Sequence, residues 1–357
     1  MKVGIIGFPQ TGKKTLFKLL TDSEMPEVRQ DQQKSIPGIA AIRDTRLDSL
    51  TNIYMPKKRT PAQIELELLP DLDKRLIQEG KIFGDIANLD AICHIVRTFK
   101  DESIYHVKGS VDMERDIDEI NGEFILHDLL FIEKRKERIA KNVKKGIAQK
   151  QKEEGDLLIK FQNHLEKNLP LRTLSLSESE NEIISGYPFL TIKELIIVIN
   201  TDEHNLTNNE IKNSLHTKYD LPRENILLIS AKIEEEIRCF DSEEERMEFM
   251  LESGIKEPAI NQLTQTCMRI LGLISYFTVG KDEVRQWLVN KDSFAPQAAR
   301  VIHSDIERGF IRAEVMKYDD HMEYGTEEKI KQAGKYYIMG KDYKIEDGDI
   351  VGFRFNV

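Results

Sequence analysis

The sequence predicts an α/β protein with a helical insertion and a small α+β tail, and three observations predict it. From residue 1 to about residue 120, short β-branched and apolar runs alternate with helical stretches, as in VGIIGF, KKTLFKLL, IELELL and AICHIVR. Such alternation builds a largely parallel sheet with helices on its faces. The pattern resumes with ELIIVIN at residues 194–200 and ILLIS at 226–230, so the sheet continues after an interruption. From about residue 275 the chain changes character: YFTV, FIRAEVMKY, KYYIMG and IVGFRFNV are strand-like, and GKDY and EDGD are turn-like.

Taken in order, the first run, MKVGIIGFP, reads as a strand entering a glycine turn; it lacks the long apolar core and small-residue cleavage site of a secretory signal. The interruption carries Ile125, Leu129, Ile132, Ile139 and Val143 at helix-compatible spacing, with LLIKFQNHL after Gly155, and predicts an inserted helical coiled-coil hairpin. In the tail, TEEKIKQAG reads as a helix closed by Gly334. The expected boundaries are residues 1–124 and 185–274 for the nucleotide-type α/β domain, 125–184 for the insertion and 275–357 for the tail. A chain of 357 residues suits several cores rather than one.

Composition narrows the function. Charged residues make up 32% of the chain and the mean hydropathy is -0.44, with no run apolar enough to span a bilayer, so a soluble cytoplasmic protein without membrane partners is expected. Cys93, Cys239 and Cys267 are odd in number and far apart, which indicates neither a disulfide framework nor a clustered zinc site. The net charge of -10 disfavours indiscriminate nucleic-acid binding. Residues 134–152 are nonetheless strongly basic, with Lys134, Arg135, Lys136, Arg138, Lys141, Lys144, Lys145, Lys150 and Lys152. This run reads as a solvated helical face or, alternatively, as a local nucleic-acid contact.

Three motifs carry chemistry. Gly7-Phe8-Pro9-Gln10-Thr11-Gly12-Lys13-Lys14-Thr15 follows a strand and opens a helix, and it fits GxxxxGK. A phosphate loop, or P-loop, needs glycines so that backbone N–H groups can converge on phosphate oxygens, a helix N-terminus facing the anion, and a lysine for the outer phosphates. Gly7, Gly12 and Lys13 can fill those roles. The next position ordinarily supplies a Ser or Thr hydroxyl to Mg²⁺. Here it is Lys14, which has no lone pair when charged, and Thr15 lies one residue further round the helix, so magnesium is in doubt. Asn200-Thr201-Asp202-Glu203 follows a buried strand where GTPases place Asn-Lys-x-Asp to read guanine; Thr201 replaces the Lys and Glu203 the Asp. Ser230-Ala231-Lys232 ends ILLIS, where such proteins set a backbone N–H and a lysine stem against the base.

The stretches GFPQTGKKT, DAICHIVRTFKDESIYHVKGSVD, INTDE, ISAKIEEEI, YFTVGKDEVRQW and APQAARVIHSDIERGFIRAEVMKYDD make the chain similar, nearly end to end, to the Obg-like ATPases of the YchF type. AGKYYIMGKDYKIEDGDIVGFRFN extends the likeness to the end of the tail. The resemblance implies a P-loop G domain, an inserted helical coiled coil and a C-terminal TGS domain of β-grasp shape. It also implies ATP preferred over GTP through the Asn-x-x-Glu element, and a ribosome or RNA partner.

The departures from the family pattern are specific. Lys14 stands at the family's Ser. Gln32 or Gln33 stands near its switch I Thr, and LLPD, residues 68–71, replaces its Asp-Ile-Ala-Gly. These losses imply weak or absent magnesium-dependent hydrolysis, with Thr15 or Asp71 as alternative metal oxygens. His106 occupies the position of a family loop histidine near the nucleotide; the other reading is a solvated loop histidine. The expected protein binds ATP or GTP at Gly7, Pro9, Gln10, Thr11, Gly12, Lys13, Lys14, Thr15, Asn200, Thr201, Glu203, Ser230, Ala231 and Lys232. The alternative is a non-enzymatic, degenerate G-domain scaffold acting only through its helical and TGS parts.

Overall fold

The structure, a computed structural model, describes residues 1–22, 34–142, 149–255 and 257–356. Two compact units emerge: Met1–Gly38 with Glu65–Ile260, and Ile39–Ile64 with Asn261–Val357. The described strands, numbered β1 to β12 along the chain, form two six-stranded sheets.

The first sheet contains β1 (Lys2–Ile6), β2 (Ile36–Ala41), β4 (Gln63–Leu68), β5 (Ala91–Arg97), β6 (Glu194–Asn200) and β7 (Ile226–Ile229) in the order β2-β4-β1-β5-β6-β7. β1 runs parallel to both β4 and β5, and β5, β6 and β7 continue in parallel. Every residue of AICHIVR in β5 is buried, as a strand covered on both faces requires. Ile6, Ile92, Val96, Ile197 and Ile199 form one face of the core with Ile117, Ile120 and Phe124 from the long helix. β1 has β4 on one side and β5 on the other, so its carboxyl end opens at the crevice where α/β sheets receive ligands.

The helical insertion belongs to this unit. Its first helix, Met113–Asn142, starts well before residue 125, because Met113, Ile117, Ile120 and Phe124 already face the sheet core at helical spacing. The second helix, Gln149–Leu165, runs straight through Gly155. Ile125, Ile132, Leu157, Leu158, Phe161 and Leu165 pack together and onto Phe189. In the basic stretch Arg135 donates to Glu154 Oε1 (2.5 Å) and Lys136 to Gln162 Oε1 (2.7 Å), whereas Lys134, Arg138, Lys141, Lys150 and Lys152 are exposed. Val143, Lys144 and Lys145 lie outside the described residues.

The second unit holds β3 (Lys58–Thr60), β8 (Leu273–Thr278), β9 (Glu283–Asn290), β10 (Phe310–Lys317), β11 (Tyr337–Met339) and β12 (Asp349–Phe355) in the order β11-β10-β12-β8-β9-β3. The helix Ala295–Ile302 lays Ala295, Ala298 and Ala299 against Tyr276, Val289, Phe310, Val315 and Val351, the helix-on-sheet packing of a β-grasp domain. Lys317 Nζ donates to Tyr343 Oη (2.9 Å), Glu346 (2.8 Å) and the fully buried Asp349 (2.7 Å), fixing the turn before β12. Gly334 closes the helix Glu327–Gln332 with φ of +70°, a conformation that favours glycine.

One segment departs from the expected boundaries. Residues 39–64 were expected in the first domain, but the helix Thr45–Tyr54 buries Leu47 and Leu50 among Phe277, Val284, Met316 and Ile350, and β3 pairs in parallel with β9. Arg46 ties the segment to the tail by bridging Asp44 (2.8 Å) and Asp347 (2.7 Å).

Candidate functional site

β1 ends at Ile6, and the chain turns through Gly7 to Gly12 into the helix Lys13–Thr21. Gly12 has φ of +88°, and a Cβ there would stand 2.2 Å from Asn200 Nδ2. A Cβ on Gly7 would stand 2.5 Å from the Ile95 carbonyl oxygen. Both glycines are therefore demanded by close approach as well as by backbone conformation. Inside the turn the Phe8 carbonyl accepts from Thr11 Oγ1 (3.1 Å) and Lys13 Nζ (3.2 Å).

Asn200 joins the three motifs. Its Nδ2 donates to the Thr11 carbonyl (3.0 Å) and its Oδ1 accepts from the Ala231 N–H (3.0 Å), so one buried amide ties the glycine turn to the segment after β7. Thr201 is buried and its N–H donates to the Ile229 carbonyl (2.8 Å), but its Oγ1 has no hydrogen-bond partner. Ser230 Oγ accepts from Ile233 N–H (3.4 Å) at the start of the helix Ala231–Cys239. Glu203, Lys232, Gln10 and Lys14 are exposed, and Pro9 and Thr15 are half-buried.

Lys13 is buried, and its ammonium pairs with the Asp71 carboxylate in the loop after β4. Lys14 Nζ stands 3.7 Å from the other Asp71 oxygen. Burial pulls the Lys13 ammonium below its ordinary value against the attraction of Asp71. Burial also works against the Asp71 carboxylate, but the charges and hydrogen bonds of Lys13 and Lys14 outweigh it and hold the group below the usual carboxylate range.

His94, at the centre of β5, is fully buried, and burial, helped by Lys13, lowers its pKa to about 3. Between pH 6.5 and about 3 the unfolded chain therefore takes a proton that the folded chain refuses, so stability is full above that window and falls as pH drops through it. At pH 4.5 the loss from this group alone should be roughly 2–3 kcal/mol. Urea titrations at pH 7 and pH 4.5 of the natural chain and of His94→Gln check it: the variant should lose less stability by that amount, and equal losses would contradict the assignment.

The structure brings Gly7, Thr11, Gly12, Lys13, Asn200, Thr201, Ser230 and Ala231 together at one end of the sheet. His106 is placed otherwise than as a solvated histidine: it is buried, Nδ1 accepts from Lys108 N–H (3.2 Å), and Nε2 faces Asp116 Oδ2 at 3.0 Å. Gln32 and Gln33 lie outside the described residues. Asp71 as the partner of Lys13 was not legible, because nothing local in LLPD marks a carboxylate that pairs with a lysine 58 positions earlier. Among the described residues no group of three or more His, Cys, Asp or Glu side chains is gathered to hold a metal, and no helix is long and apolar enough to cross a membrane.

A parallel sheet with this order, a GxxxxGK turn at the end of its first strand, a helical insertion and a β-grasp tail define a P-loop protein of the G-domain class. The family model YchF-GTPase_C, described as a protein of unknown function (DUF933), matches residues 273–356. The chain is 37% identical to the ribosome-binding ATPase YchF of Bacillus subtilis and 36% identical to that of Haemophilus influenzae, each alignment covering 100% of this chain and at least 99% of the relative. The solved structure of the Schizosaccharomyces pombe YchF GTPase superposes with a TM-score of 0.83 at 31% identity, over 99% of this chain and 97% of that one. A GTP-binding protein from Pyrococcus horikoshii shares the fold, with a TM-score of 0.57 at 16% identity over the whole of both chains. This chain belongs to the YchF family.

Proposed function

We propose that this chain is a cytoplasmic purine-nucleotide-binding protein that takes adenine in preference to guanine nucleotides and associates with the ribosome. We propose further that its magnesium-dependent hydrolysis is slow or absent. The observation that carries the reading is the Asn200 amide, which ties the glycine turn of the first motif to the third, so that the phosphate-type and base-type motifs lie side by side at one end of the sheet. The two glycines that no other residue could replace without a clash, and the buried unpartnered Thr201 hydroxyl, suit a site that receives a polar ligand.

In this reading the N–H groups that open the helix Lys13–Thr21 and the Lys13 ammonium hold phosphates. Asn200, Thr201, Glu203, Ser230, Ala231 and Lys232 border the base, with Glu203 standing where a guanine-reading Asp would. Gly7, Pro9, Gln10, Thr11, Lys14 and Thr15 complete the loop. The residues present do not suit the usual magnesium ion: Lys14, its side chain 64% exposed, brings a positive charge where a hydroxyl ligand is required. Without a metal clamp on the transferring phosphoryl group the main catalytic term is lost. His106 faces Asp116 and is given no catalytic role. Ribosome association and a cytoplasmic location rest on the relatives named ribosome-binding ATPases, which align over the full chain.

The test is competition between ATP and GTP for the natural chain and for Glu203→Asp. ATP should win in the former, and the variant should shift the ratio toward GTP by about tenfold, the scale of one charge-assisted hydrogen-bond pair. An unmoved ratio would make Glu203 a turn residue. Absence of binding to any purine nucleotide would contradict the nucleotide reading.

A further inference from the structure

The Asp71 carboxylate is in the wrong place for an ordinary phosphate loop. Lys13 has three N–H donors, and two are already engaged, one by the Phe8 carbonyl and one by Asp71. The donor that would meet the outermost phosphate of a nucleotide is thus neutralised by a side chain of the same charge as that phosphate. Lys14, at 3.7 Å, adds a second cation beside Asp71, and Lys13 with Lys14 outweighs burial to hold its carboxyl below the usual carboxylate range.

The loop that carries Asp71 is anchored on both sides. Before it, the Leu69 N–H donates to the Ile5 carbonyl (3.0 Å); after it, the Leu72 N–H donates to the Gly7 carbonyl (3.2 Å), in the phosphate turn itself. Leu69 and Leu72 are buried in the sheet core, and Asp73 caps the next helix by accepting from Leu76 N–H (2.8 Å). Asp71 therefore cannot swing away with its backbone unless buried leucines and two of these bonds are given up. A ligand that needs the Lys13 donor held by Asp71 must displace that carboxylate or stop short of it.

We propose that Asp71 is a specificity-determining residue that makes the site select a nucleoside diphosphate over the corresponding triphosphate. This rests on the nucleotide reading above and goes beyond it. A diphosphate lies against the helix-opening N–H groups and the remaining Lys13 donor. A triphosphate brings a further anionic group toward a fixed carboxylate and must compete with it for the same ammonium.

Calorimetric titration of the full chain with ADP and with the non-hydrolysable β,γ-imido analogue of ATP tests the proposal, in the natural chain and in Asp71→Asn, which keeps the shape and removes the charge. The natural chain should bind the diphosphate at least about tenfold more tightly, the penalty for setting like charges at close range. In Asp71→Asn the triphosphate should gain about tenfold or more while the diphosphate changes by less than about threefold. Asp71→Gly should act in the same direction, and a thermal melt of each variant verifies folding. Equal affinities in the natural chain, or a ratio that Asp71→Asn leaves unchanged, would overturn the proposal while leaving nucleotide binding intact. Failure of every variant to bind either nucleotide would overturn the nucleotide reading and this inference with it.

Discussion

Lys13→Ala should weaken nucleotide binding by about 10- to 100-fold, since the hydrogen bond from its remaining ammonium donor to a phosphate contributes about 1.5–3 kcal/mol. The fold should survive. The partner left behind, Asp71, has a side chain 35% exposed, so its released charge can re-hydrate instead of standing bare in a core. The helix Lys13–Thr21 keeps Leu16, Phe17, Leu19 and Leu20 in the interior whatever stands at its first position. The far-ultraviolet spectrum should be unchanged, and an unaltered dissociation constant would remove Lys13 from the site.

Asp128→Ala should be among the costlier single changes to the first unit. Asp128 is fully buried at the middle of the first insertion helix, where Oδ1 accepts from the Leu190 N–H (2.9 Å) and Oδ2 from both the Thr191 N–H (2.9 Å) and the Thr191 hydroxyl (2.7 Å). Truncation leaves two backbone N–H groups buried without an acceptor, at about 1–3 kcal/mol each, together with the lost charge-assisted bonds. A loss on the order of 3–5 kcal/mol is expected in a denaturant titration. A loss under about 1 kcal/mol would mean that water or a backbone shift satisfies those donors.

Much of the first unit was legible because its elements announce themselves locally. AICHIVR and ELIIVIN are short, mostly apolar and β-branched runs, the pattern of a strand covered on both faces, and both are interior strands of the sheet. The glycine turn was legible because strand, GxxxxGK and helix follow one another within a few residues. The segment 39–64 was not: the helix Thr45–Tyr54 has an apolar face, but nothing in that face says which core receives it. In the tail, the helices Ala295–Ile302 and Ser304–Arg308, which fall between the strand-like runs, were not legible either: both are short, and the alanines of the first are defined by tertiary packing more than by periodicity.

The candidate site divides in the same way. Residue types and spacing located the three motifs, but not the bonds that unite them, because Asn200 and Thr11 are 189 positions apart and Lys13 and Asp71 are 58 apart. His106 shows the opposite failure. Its position suggested either a nucleotide neighbour or a solvated loop, and the burial that pairs it with Asp116 depends on a helix whose start the sequence put too late.

The magnesium dependence of nucleotide affinity, measured by calorimetric titration of ADP and ATP in EDTA and in excess Mg²⁺, reports directly on the phosphate loop. In the proposed site the phosphate loop keeps its glycine turn and Lys13 but carries the ammonium of Lys14 where the usual metal ligand stands. Saturable binding at one site is expected in EDTA, with affinities that magnesium alters by less than about threefold, because Mg²⁺ tolerates little departure from its octahedral oxygen shell and Lys14 supplies no oxygen to it. Lys14→Ser should restore part of the dependence. Binding that appears only with magnesium, or strong magnesium-dependent turnover by the natural chain, would show that another oxygen such as that of Thr15 or Asp71 holds the metal, and would contradict the account.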